Sequence, residues 1–170
     1  MIRFLKTAML LAAMAILGGC GASGAASSAS NVGMVSPLKS YADIREMAQA
    51  VAFDFLVPTE FPEEFAVSAC YTVSGKIVSV EYSAGEREIL YRTAQASGEY
   101  DETAGISGNY TTFAQKETVQ VGDYAVTFSY DSEDTPALAL WSGDEMLYSL
   151  DGLTVEEAEV CILSLAPAEK

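Results

Sequence analysis

The rhythm of hydrophobic and polar positions changes repeatedly along the chain. Thr7–Leu17 is an uncharged, largely apolar run behind Arg3 and Lys6. It is shorter than the roughly 20 apolar residues that span a bilayer. Residues 21–36, GASGAASSASNVGMVS, show no period and read as a flexible tether. From Ser40 to about Val51 the apolar positions Tyr41, Ile44, Met47, Ala48 and Val51 recur at helical spacing. Ser40 is the predicted cap, with Asp43 in the first turn. In FDFLVPTEFPEEF, Pro58 and Pro62 end the helical pattern and impose an extended, turning path.

Strand patterns then dominate. Phe65–Val73, Lys76–Tyr82 and Glu86–Thr93 are separated by the turn pairs Ser74-Gly75 and Ala84-Gly85, which predicts a meander. A polar segment, Gln95–Asn109, reads as a long loop. Strands resume at Thr118–Val121, Tyr124–Tyr130, Ala137–Trp141 and Glu145–Leu150, with Gly122-Asp123 and Gly143-Asp144 at turns. Thr154 and Glu157 form a capping-box signature, and Ala158, Cys161, Ile162 and Leu165 make one apolar helix face behind it. The expected fold is α+β: an antiparallel sheet of about six to seven strands, with an N-terminal and a C-terminal helix packed on one face.

The N-terminal pattern also predicts where the protein goes. A positive start, a short apolar stretch and small residues before a cut site are the grammar of a secretory signal. Leu17-Gly18-Gly19-Cys20 resembles the lipobox of bacterial lipoproteins. That resemblance implies cleavage before Cys20 and a diacylglyceryl group on its sulfur. The expected organisation is a signal peptide at 1–19, a lipidated Cys20 and tether at 20–37, and a single domain at 38–170. The expected location is the outer face of the bacterial cell membrane. With about 5–6 Å × √n of reach, a 16-residue tether spans roughly 20–24 Å.

Charge sharpens this picture. Removing residues 1–19 takes away Arg3 and Lys6 and no acid, which leaves 7 basic and 24 acidic residues and a net −17. Such a body repels nucleic acid and anionic lipid surfaces. No charged residue lies between Gly21 and Leu38, so the lipid alone must hold the membrane. Two acyl chains suffice, since each buried CH₂ contributes about 0.8 kcal/mol.

Candidate chemistry is sparse. The chain has no histidine, which removes Ser-His-Asp and Cys-His catalysis and histidine zinc sites. Ser36-Pro37-Leu38-Lys39 spells S-x-x-K but has no S-D-N or K-T-G partner and no helix of its own. Glu86 and Glu88 fall on one side of a predicted strand, where alternate acids more often mark a solvated face than an acid/base pair. Asp131-Ser132-Glu133-Asp134 lacks the order and glycine of a calcium loop. No catalytic residue, metal site or cofactor is expected, and the protein is not expected to be an enzyme. Cys70 and Cys161 are candidates for a disulfide outside the cytoplasm, or else buried free thiols. The aromatic residues are expected mainly in the core, and Tyr100, Tyr110 and Trp141 are the candidates for ligand contact.

FDFLVPTEFPEEF, KIVSVEYSAGEREILYRTA, GISGNYTTF, VGDYAVTFSY, ALALW and LTVEEAEVCILSL follow one another across residues 53–165. In order and spacing they resemble an uncharacterised extracytoplasmic domain of Gram-positive lipoproteins. That domain also occurs at the C-terminus of membrane-anchored anti-sigma-factor-like proteins. Ala52 and Glu63-Glu64 stand where that family commonly carries glycine. The resemblance implies an extracytoplasmic module without assigned catalytic residues. Location and composition together point to a non-catalytic binding or sensing module whose partner is an envelope protein, a peptide or a wall fragment. The alternative is a lipoprotein with an apolar cavity for a lipid or cell-wall fragment.

Overall fold

The computed structural model describes residues 36–96 and 105–170. The expected signal peptide, Cys20, most of the expected tether and Tyr100 lie outside the described residues. Eight antiparallel strands form the main sheet, in the order β1-β3-β4-β5-β9-β8-β7-β6. They are β1 (Leu38–Tyr41), β3 (Ala66–Val73), β4 (Ile77–Ala84), β5 (Arg87–Gln95), β6 (Gln115–Val121), β7 (Tyr124–Tyr130), β8 (Ala137–Gly143) and β9 (Met146–Leu153). Two short strands, β2 (Leu56–Val57) and β10 (Ala166–Pro167), pair separately. The helices are α1 (Ile44–Ala50) and α2 (Val155–Leu163).

The α+β class stands, with two corrections. The main sheet has eight strands, because Leu38–Tyr41 pairs with Cys70–Val73 as an edge strand. The first helix accordingly starts later than its apolar period suggests. Asp43 is its cap, accepting from the Glu46 amide at 2.7 Å, while Ser40 belongs to β1. Tyr41 satisfies both patterns, and only pairing with β3 decides between them. At the other end, Thr154 and Glu157 form the expected capping box.

One face of the sheet is closed by α1, α2 and the β2–β10 ribbon. Met47, Phe55, Tyr91, Phe128, Tyr148, Leu150 and Ile162 fill the space between the layers, all at 3% exposure or less. Strand alternation sends the next residues to the opposite face. There a second cluster forms from Ile77, Ala94, Leu138, Leu140 and Leu147, and it receives Ile106 from the long loop. Gly152 makes the β5–β9–β8 junction possible. It sits at φ +103 beside a register shift, and a side chain there would meet the Glu88 carbonyl at 2.2 Å.

Candidate functional site

The second face carries the site. Residues 105–114 form a strap across it, entering the sheet at β6. Ile106 is 1% exposed and plugs the apolar patch formed by Ile77, Ala94, Leu138, Leu140 and Leu147. Phe113 packs at the edge of the same cluster. Arg92 projects from β5 beneath the strap. Its Nη1 donates to the Ser107 carbonyl at 2.6 Å and to the Ile106 carbonyl at 3.4 Å. The guanidinium passes so close to Gly108 that a Cβ there would lie 2.5 Å from Nη1, and Gly108 also holds φ +64. The left-handed backbone favours glycine at this position, and a Cβ would also force the Arg92 guanidinium to shift. Farther along, Asn109 Nδ2 donates to Asp151 on β9 at 2.8 Å. The turn closes on itself through Asn109 N to Ser107 Oγ and Thr111 N to Asn109 Oδ1.

The strap leaves depressions on both sides. A cavity of about 130 Å³ beside Ile106 is bordered by Lys116, Thr127, Leu140, Ser142 and Leu147. A shallower one of about 310 Å³ lies toward β4 and β5, among Ser68, Glu81, Glu88, Leu90 and Asp151. Glu81 accepts from the Tyr71 hydroxyl at 2.9 Å. Under this region two polar atoms, Ser79 Oγ and Arg92 Nε, are buried without a hydrogen-bond partner.

The sequence-derived candidates fall in different places. Tyr110 is on the strap and is 82% exposed. Trp141 borders the cavity of about 130 Å³ but is only 5% exposed and stacks on Tyr148, with ring centroids 5.2 Å apart, inside the helix-covered core. Tyr124 leans against both rings, in space left by the missing side chain of Gly143. Tyr82, Tyr91, Tyr130 and Tyr148 are buried too, as expected of core aromatics. Burial pushes the Tyr148 phenol up to about 12, with Tyr124 and Asp144 adding to it.

Cys70 and Cys161 are both buried and both free thiols. Burial raises the Cys70 thiol, with Asp43 adding, and it pushes Cys161 up to about 12, with Glu157 adding. Both act as small hydrophobes of the helix-covered core. Glu86 lies in the β4–β5 turn, off the strand that carries Glu88. Asp131 caps a hairpin, accepting from the Ala114 amide at 3.0 Å. Among the described residues, no group of three or more His, Cys, Asp or Glu side chains is placed to hold a metal ion.

A polar cluster at the opposite end of the sheet ties α2 down. Arg87 donates to Glu157 at 2.7 Å and to Glu63 at 2.5 Å. Burial works against the Glu157 charge, but Arg87 and the Thr154 amide outweigh it and hold the carboxyl below its usual range.

Sequence reasoning missed Arg92 and Ile106 as site residues. The pattern GISGN marks a turn, yet nothing local reveals that the turn lies on the sheet. No protein-family model, curated protein or solved structure compared with the chain matches it significantly.

Proposed function

We propose that the protein is a lipid-anchored lipoprotein on the outer face of a bacterial cell membrane, and that its body is a non-catalytic binding or sensing module. The observation that carries this reading is Leu17-Gly18-Gly19-Cys20 at the end of a short apolar run, followed by a charge-free tether. Among the described residues no helix is long and apolar enough to cross a membrane. A body at −17 would not adhere to anionic lipid unaided. The binding part of the reading is supported by the strap-crossed sheet face, which carries an exposed Tyr110 on the strap and depressions beside it. The alternative, an apolar cavity between sheet and helices, finds no support in an interior filled by Phe55, Tyr91, Phe128 and Tyr148.

Cys20→Ser tests the anchor. Wild-type protein should incorporate labelled palmitate and fractionate with membranes. The variant should lose the label and appear either in the medium or as uncleaved precursor. A processed, membrane-bound Cys20→Ser protein would defeat the reading.

A further inference from the structure

The strap has the properties of a ligand held in cis. An aliphatic side chain, Ile106, fills an apolar pocket. The two consecutive carbonyls of Ile106 and Ser107 are gripped by one arginine. An amide side chain, Asn109, reaches a carboxylate on the sheet. Anchor side chain, main-chain clamp and polar end point are the parts of a peptide-recognition groove.

The fit is also incomplete. The cavity of about 130 Å³ beside Ile106, bordered by Lys116, Thr127 and Ser142 as well as Leu140 and Leu147, is room the strap leaves unfilled. Ser79 Oγ and Arg92 Nε remain buried and unpaired under the strap region. Unpaired buried polar atoms favour any occupant that brings them a partner. The helix-covered face also leaves Tyr82 Oη and Trp141 Nε1 unpaired, whereas Tyr91 donates across the layers to the Leu56 carbonyl at 2.8 Å.

We infer that the sheet face under residues 105–109 is a docking groove for a segment of a partner protein, and that the strap occupies it in the partner's absence. The partner segment is short and extended. It presents an aliphatic residue to Ile77, Ala94, Leu138, Leu140 and Leu147, and main-chain carbonyls to Arg92. Beyond the anchor it meets Asp151, then Glu81 and Glu88, so an amide or basic side chain follows. The strap and the partner compete, and apparent affinity falls by the fraction of molecules whose groove is open. The inference rests on the reading of the body as a binding module; the anchor is a separate matter, decided by fractionation of Cys20→Ser.

The test uses the full chain in detergent and a synthetic peptide of residues 103–114 as the probe. Ile106→Ala and, separately, Gly108→Ala loosen the strap by removing its anchor or straining its turn. Hydrogen exchange should show faster exchange at 105–109 with strands β5, β8 and β9 still protected. Either variant should then bind the peptide in trans at least about tenfold more tightly than wild type. A peptide carrying Ile106→Asp should not bind. Three results would overturn the inference. One is a loosened strap in an intact sheet that still binds no peptide. Another is equal binding to wild type and variants, which would place the contact elsewhere. The third is loss of protection in β5, β8 and β9 together with the strap, which would make residues 105–109 a structural layer.

Discussion

The two faces of the sheet are covered in different ways. The inner face lies under α1, α2 and a two-stranded ribbon, with aromatic rings from several strands interlocked beneath them. Among the described residues the outer face is covered by one segment, whose grip consists of Ile106, the edge of Phe113, Arg92 and Asn109. Burying a side chain such as isoleucine contributes about 1.5–3 kcal/mol, and each hydrogen bond about 0.5–1.5. The strap sets these few contacts against the ordering entropy of its own residues. The inner layer instead sums many such burials into one cooperative unit. A thin cover of this kind can open without the fold failing, which is what a binding surface requires.

The largest expected effect separates the faces directly. Tyr148→Ala removes a ring that packs against Trp141 and Tyr124 at 1% exposure. It should cost about 3–5 kcal/mol of global stability in urea unfolding, in line with large-to-small aromatic truncations. Ile106→Ala should cost less than half of that, with unchanged exchange protection in the inner strands. Equal losses would erase the distinction between a core and a cover.

A second comparison concerns access from solvent. The thiols of Cys70 and Cys161 belong to the inner face, and burial keeps both protonated at neutral pH. Iodoacetamide at pH 8 should therefore label neither in the folded protein and both in urea, more than about a hundredfold faster. No reductant should be needed, since the structure carries both as free thiols. If unfolded protein took label only after reduction, the two would be paired.

The smallest effect lies at the rim. Glu157 has a depressed folded-state pKa, so its contribution is present above the unfolded value of about 4.3 and fades as pH falls through the folded value. Its side chain is 23% exposed and that of Arg87 41%, so solvent screening holds the contribution to about 0.5–1 kcal/mol. Glu157→Gln should be less stable than wild type by that amount at pH 7, and the gap should close toward pH 3. A gap that persisted at pH 3 would point to the capping hydrogen bond with Thr154 in place of charge.

Local chemistry along the chain determined much of this. Alternation located β3, β4, β5, β7, β8 and β9 within a few residues, because a half-buried strand must place every second side chain inside. Thr154 and Glu157 announced α2, because the orphan amides of a helix start are satisfied by residues a turn apart. The apolar run before Cys20, on which the proposed anchor rests, is likewise legible without any fold, since a secretory signal is defined by its sequence.

What depends on distant partners was decided only in three dimensions. Tyr41 and its neighbours became β1 because β3 offered an edge, against a helical period that reached back to Ser40. Trp141 went inward because strand parity put it on the helix-covered side. The docking of Ile106 on Leu138, Leu140 and Leu147 joins segments far apart in sequence, and the clamp by Arg92 exists only once β5 lies beneath the strap. Periodicity reports which face a residue prefers within its own element. It carries no information about what will lie across that face, and the candidate site is made of that second kind of contact.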